Sequence, residues 1–512
     1  MKLRRPADPW MHLPWIAVLL LHLLVNVVTP YGFHRDEFLY LAMGRHLELF
    51  GMDFPPFIAI AARGTLATLG GSLPAVRFLP AVAGALLVLL AALLARRFGG
   101  GRYAQLAAAL AVAISPLFLR AGSLFQPVVF DALWWSFALL VLARLAEAKS
   151  HGTPADRRDW LLLGVVLGLG LLTKFSIAFI GIGLIVAILL TPLRRALLTP
   201  GPWLALGIAL LIGSPGIVGQ IRLGLPVLGQ MRDLQAEQLE RVSPLVFLAG
   251  QVEMFQPLIL LALAGAFHLA RSRHRPVLIA CAATFLLLLW LRGKAYYIGP
   301  VYPALLAAGA VQLEAVATGR RRLGAALWRG IPLVVILGFG AIAFPLAVPI
   351  LPPAATARYA GAIGVTSTTN TGEPIALPQD YADMLGWEDQ VAATKRAIDS
   401  LPARDRADLV VIGTNYGRAG AHDHLGAALG LPPAVAPMGS YWFFGPGPKP
   451  GRVALIIGGE REELTPFYRS VTPVARVTGE WRVPEERDVT LWIGRDPVRS
   501  LQEIWETFRG QN

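Results

Sequence analysis

Apolar runs of near membrane-spanning length recur through the first two thirds of the chain, among them IAVLLLHLLVNVV (16–28), AVAGALLVLLAALLA (81–95) and IPLVVILGFGAIAFPLAVPIL (331–351). A helix needs roughly 20 apolar residues to cross a bilayer. Inside lipid the backbone must satisfy its own hydrogen bonds, so these runs fold as helices. The composition agrees, with 15% charged residues where a soluble domain carries roughly a quarter. A wholly soluble enzyme is thereby excluded. The 52 glycines and 39 prolines are scattered among the apolar segments, which argues against low complexity and disorder. Cys281 is the one cysteine, so no intrachain disulfide and no cysteine-based metal cluster can form.

The formal charge of +13 divides unevenly: residues 1–351 hold 30 Lys and Arg against 14 Asp and Glu, and residues 352–512 hold 16 against 19. The basic excess lies at the ends of apolar runs, where it sets topology by staying on the cytoplasmic side. That reading leaves no need for a nucleic-acid partner.

Lys2, Arg4 and Arg5 precede the first run, which lacks a small-residue cleavage site and reads as an uncleaved anchor with its amino terminus inside. Basic clusters recur at Arg96, Arg97 and Arg102, at Lys149, Arg157 and Arg158, at Arg194 and Arg195, at Arg271, Arg273 and Arg275, and at Arg320, Arg321 and Arg322. If every cluster is cytoplasmic, each interval between them holds an even number of crossings. Four intervals offer two apolar runs apiece. The interval Trp160–Leu190 is interrupted by Thr173 and Lys174, and we read it as two short spans with Lys174 at the outer turn. A last run over 331–351 takes the chain outward. The expectation is a polytopic α-helical membrane domain over 1–351 with about eleven spans, and an extracytoplasmic α/β domain over 352–512. In that second domain ADLVVIG (407–413), VALIIGG (453–459) and DVTLWIG (488–494) read as strands of one sheet. No internal repeat is evident.

Ionisable groups at membrane depth are costly and mark functional sites. The first outer loop carries His34, Arg35, Asp36 and Glu37, then His46, Glu48 and Asp53, then FPPF and Arg63. Asp131 opens a later span in QPVVFDALWW. Adjacent carboxylates such as Asp36 and Glu37 do not share a helix face, so they do different jobs; the plain alternative is a pair of solvated loop charges. Asp131 has a rival reading as a salt-bridge partner of Lys174 or Arg120. His34, His46, Asp36 and Asp53 offer nitrogen and oxygen donors suited to a divalent ion. On the same side Arg63, Lys174, Arg292 and Lys294 can hold a lipid phosphate, or can snorkel beside the aromatic belt of Tyr296, Tyr297 and Tyr302.

In order along the chain, HRDEFLYLAMGRHL, MDFPPF, FDALWW, GLGLLTKFS and KAYYIGPVYPALLAAGA resemble the family 39 glycosyltransferases. That group includes the protein O-mannosyltransferases and the aminoarabinose transferases of lipid A, within the GT-C superfamily. The resemblance covers roughly residues 1–320. LPQDYADMLGWEDQV, IGTNYGRAGAHDHLG and GSYWFFGPG are similar to the outer domain of a bacterial subgroup of the same family.

The resemblance implies transfer of a sugar from a polyprenyl-phosphate donor to an envelope acceptor (glycolipid, glycan or protein) on the outer face of the bacterial inner membrane. It implies Asp36 as catalytic base, Glu37 as its neighbour and Asp131 as a second acid, with Lys174 and Lys294 near the lipid phosphate. The large inserted outer domain of the protein O-mannosyltransferases is missing, which leaves the acceptor class open. No cofactor is required, and a divalent metal is optional because basic side chains can neutralise a monophosphate. A lipid-linked sugar flippase and a non-catalytic envelope assembly protein are the rival readings; transporters tend to show internal repeats. The outer domain is expected to select the acceptor without doing chemistry, through the loop after ADLVVIG, where ligands bind beyond strand ends. Asn415 and Tyr416 lie there, with Tyr441 and Trp442 as stacking surfaces.

Overall fold

The computed structural model describes residues 9–150 and 156–509. Lys2, Arg4 and Arg5 lie outside the described residues. The chain forms two compact units: residues 1–28, 77–217 and 238–348 make the first, and residues 29–76, 218–237 and 349–512 the second. The second unit thus joins the carboxy-terminal part to two segments drawn from the first 351 residues.

The first unit is helical. Among the described residues five helices, Phe78–Arg97, Pro127–Ser150, Pro200–Arg222, Ala295–Thr318 and Arg322–Ala347, are long and apolar enough to cross a membrane. Three broken pairs raise the number to eight, with bends of 65° at Pro116, 100° at Pro192 and 106° beside Pro257. Each break falls at a proline, which lacks the N–H needed to continue the ladder. A count of eleven needs three further helices to cross: His12–Val28 and Arg157–Thr173, of 17 residues each, and Arg275–Trp290, of 16. The Trp160–Leu190 interval is two helices, Arg157–Thr173 and Ile177–Leu189, broken at Lys174–Ser176. Small residues let helices touch backbone to backbone. A Cβ at Gly265 would strike the carbonyl of Leu305, and one at Gly309 that of Leu261. Exposed Leu211, Val334 and Trp290 on these helices call for lipid as their solvent.

The second unit is built on a five-stranded sheet of β1 (Leu409–Gly413), β2 (Ala434–Val435), β3 (Val453–Ile457), β4 (Tyr468–Thr478) and β5 (Asp488–Pro497), in the order β2-β1-β3-β5-β4. β1 runs parallel to β2 and β3, whereas β5 is antiparallel to β3 and β4. β1, β3 and β5 are the three strands expected from apolar runs. β4 is an edge strand with a register shift at Pro473, where the missing N–H costs no inner ladder bond.

Three helices of this unit position the site: α1 (Arg35–Arg45), α2 (Trp387–Asp399) and α3 (Tyr416–Leu425). Leu39, Ala42 and Met43 of α1 share one buried core with Ala393 and Ile398 of α2 and with Leu409, Leu455 and Ile493 of the sheet. α1 and α3 pack because α3 offers glycines. A Cβ at Gly420 would stand 2.7 Å from Cβ of Phe38, and one at Gly417 would stand 3.2 Å from Cβ of Arg35.

Candidate active site

α1 begins at a capping box. His34 is the N-cap: its Nδ1 accepts from the Asp36 N–H at 3.1 Å, and its own N–H donates to Glu37 Oε2 at 2.8 Å. This satisfies two donors that a helix start leaves open, and both acids of the first turn complement the helix dipole. Glu37 is fully buried. The side chain of Asp36 is 28% exposed, and its Oδ1 accepts from the Tyr416 hydroxyl at 2.9 Å. The two neighbouring carboxylates therefore occupy different environments: one is committed to the helix start and the other is reachable.

Around Asp36 lies a charged cluster. Arg35 pairs with Asp383 at 3.2 Å and Glu485 at 2.8 Å. Burial works against its charge, but Tyr416, Asp383, Asp36 and Glu485 outweigh that and hold its pKa above the ordinary value. Because His34 Nδ1 accepts a hydrogen bond, its proton sits on Nε2, which faces Asp383 Oδ2 at 3.6 Å. Burial pushes the Asp383 carboxyl up to about 6, against the opposing pull of His34 and Arg35. Tyr416 is pushed well above its ordinary value, by burial first and then by Asp36, so it is a neutral phenol that donates. Asp383, from the QDYADMLGWED segment, is a site residue that residue-by-residue reading of the sequence missed. The segment was visible only as a family resemblance.

The polar loop after β1 is tied inward. Asn415 caps α3, accepting from the Arg418 N–H at 2.9 Å and donating to Glu486 Oε1 at 2.9 Å. Glu486 is buried and also accepts from Arg418 Nε at 3.1 Å and Gln390 Nε2 at 2.9 Å. Tyr441 is a core residue, 1% exposed, with its hydroxyl on Asp423 at 2.8 Å. It offers no face for a sugar. Trp442 exchanges hydrogen bonds with Trp505 and lines a cavity of about 340 Å³ together with Phe443, Asp53, Leu225, Pro226 and Arg509. Asp53 is buried, accepts from Ser440 Oγ at 2.8 Å, and is pushed up to about 6 by its burial. Arg63 is exposed on the helix Phe57–Thr68 of the same unit.

In the first unit Asp131 is buried near the start of Pro127–Ser150. Its Oδ1 accepts from Trp135 Nε1 at 2.9 Å and its Oδ2 from Ser176 Oγ at 2.7 Å. Lys174 is its electrostatic partner, and Lys174 Nζ lies 5.6 Å from the ring centre of Tyr297. FDALWW, LLTKFS and KAYYIGP, far apart in the chain, thus meet at one place. Arg120 donates to the Leu346 carbonyl. Lys294 caps the short helix Ala295–Val301 and donates to the Gln238 side chain. Arg292 is exposed in the left-handed region, at φ 54°. Among the described residues no group of three or more His, Cys, Asp and Glu gathers to hold a metal ion; His46 stacks on Phe444 with ring centres 4.3 Å apart.

Residues 53–218 match the family described as dolichyl-phosphate-mannose-protein mannosyltransferase. That match covers less than half of the chain. Its fold matches the crystal structure of ArnT from Cupriavidus metallidurans bound to undecaprenyl phosphate, with TM-score 0.61 and 17% identity over 95% of this chain and 98% of that one. It likewise matches the apo ArnT of that organism, with TM-score 0.61 and 18% identity over 96% of this chain and 98% of that one. At such identity the likeness is one of fold. A search of curated proteins finds no sequence match. Asp131 and Lys174 fall inside the matched residues, whereas Asp36 and Glu37 precede them.

Proposed function

We propose that this chain is a membrane glycosyltransferase that moves a sugar from a polyprenyl-phosphate donor to a hydroxyl of an envelope acceptor on the outer face of the bacterial inner membrane, with Asp36 as general base. One observation carries the choice of base: of the Asp-Glu pair, Glu37 is sealed in the capping box and Asp36 keeps an accessible carboxylate. A hydroxyl is a weak nucleophile at neutral pH, so a carboxylate must take its proton as its oxygen attacks C1. The bond from C1 to the phosphate oxygen breaks and the lipid phosphate leaves with its charge. Lys174, Arg292 and Lys294 of the first unit are the cations we assign to that phosphate, since fixed positive charge is worth most where charge develops in a water-poor site. Asp131, held by Trp135 and Ser176, is assigned to orient Lys174.

The test uses the purified full chain in lipid nanodiscs with a panel of undecaprenyl-phosphate-linked sugars and an envelope lipid extract, following release of undecaprenyl phosphate. Asp36→Asn is expected to slow transfer about 10²- to 10⁴-fold with donor binding retained, because a base acts on the transition state. Glu37→Gln, which keeps an acceptor for the His34 N–H, stays within a few-fold of the parent. Undiminished turnover by Asp36→Asn would remove that residue from the mechanism. In proteoliposomes of the same chain, donor crossing the bilayer without release of lipid phosphate would instead identify a flippase.

A further inference from the structure

We infer that Tyr416 of the carboxy-terminal part is a positioning residue for Asp36, its hydroxyl fixing the carboxylate for proton transfer. The inference rests on the reading of Asp36 as base. It starts from a buried polar network that the proposed reaction leaves unused. Glu486, 1% exposed, binds Arg418, Asn415 and Gln390 at once. A buried carboxylate with that many partners orders whatever it holds. What it holds is the first turn of α3: Asn415 is the N-cap of that helix, and Arg418 further donates to Thr414 at 2.5 Å and to the Glu485 carbonyl at 2.7 Å.

The next contact is α3 on α1. Gly417 and Gly420 lie three apart, on one face of α3, and seat against Arg35 and Phe38, which are three apart on α1. Side chains larger than hydrogen would push the helices apart, so the register between them is set. Tyr416 stands beside Gly417 and Asp36 beside Arg35, and the phenol reaches Asp36 Oδ1 at 2.9 Å. Burial keeps that phenol neutral and donating.

A fixed donor on one oxygen restricts the carboxylate rotamer, which is how a base is held in reactive geometry. The other groups facing Asp36 include Arg35, His34 and Asp383. Each of these side chains remains when the tyrosine hydroxyl alone is removed.

Tyr416→Phe is such a change, and the experiment reads undecaprenyl phosphate release from the same donor panel. The expected result is a fall of about 10-fold in kcat with donor KM little changed, the loss of one hydrogen bond to a charged group. In an Asp36→Asn background Tyr416→Phe has no further effect, as coupled residues require. Replacing Tyr416 by 3-fluorotyrosine, which keeps the ring and the donor, retains the parent kcat. An unchanged kcat in Tyr416→Phe, with the parent active, overturns the inference and leaves the base reading intact. An active parent in which Asp36→Asn is also fully active overturns the base reading instead.

Discussion

Asp53→Asn is expected to stabilise the second unit near neutral pH and to lose that advantage in acid. Asp53 is 3% exposed, and burial raises its carboxyl from 3.8 to about 6 against the opposing hydrogen bonds of Ser440 and of the Asp53 and Phe54 backbone. The folded state therefore binds this proton more tightly than the unfolded chain does. Stability linked to Asp53 is full below the unfolded value, falls as pH rises between about 4 and 6, and stays low above that. The displacement corresponds to about 3 kcal/mol near pH 7. Asparagine keeps an oxygen for the backbone donors, and the Ser440 hydroxyl can turn to accept from its amide. A unit of this size shifts by roughly 2–4 °C per kcal/mol, so the variant should unfold some 6–12 °C higher than the parent at about pH 7. The gap should close near pH 4. Thermal unfolding of the purified full chain across that range, with parent and variant side by side, cancels other groups such as Asp383. A variant that melts lower at neutral pH, or a gap that does not change with pH, refutes the argument.

Glu486→Gln leaves the Arg418 guanidinium buried without its carboxylate; breaking such a pair costs about 3–5 kcal/mol, and the melting temperature of the second unit should drop by roughly 6–20 °C. For topology, Thr371→Cys in a Cys281→Ala chain places a thiol at an exposed position of the second unit, and a membrane-impermeant maleimide should label it on intact spheroplasts. Labelling only after permeabilisation would put residues 349–512 inside and overturn the outer-face reading.

The membrane part was legible because lipid imposes a length on every apolar run. The interruption at Lys174 could be read the same way, and the chain does break there, between Thr173 and Ile177. β1, β3 and β5 showed as apolar runs ending at or near glycine because their flanks are covered. β4 did not show: as an edge strand it buries few side chains, and Pro473 breaks its alternation. The unlike fates of Asp36 and Glu37 followed from their being adjacent on a helix, though which of the two would be sealed depended on His34 acting as N-cap. The link from Asp36 to Tyr416 spans 380 residues, and no local pattern announces a contact at that separation.

The expected division of labour, chemistry in the first 351 residues and acceptor selection in the rest, does not follow the compact units of the molecule. Phe38, Leu39, Ala42 and Met43 of α1 are buried, and their cover includes α3 and the core shared with the sheet. A chain lacking residues 352–512 would expose four apolar side chains on the helix that carries the Asp-Glu pair, and would also take the phenol from Asp36. Fully burying a side chain of this kind is worth about 1.5–3 kcal/mol, more in sum than one helix start can supply through its caps. The carboxy-terminal part is therefore needed to hold α1 in place before any question of acceptor choice arises. Its contribution to selectivity, if drawn from the cavity beside Trp442 and Phe443, comes from the same unit and includes Asp53 of the first outer loop. The proposed base and the cavity beside Trp442 thus belong to a single packed unit whose parts come from distant stretches of the sequence.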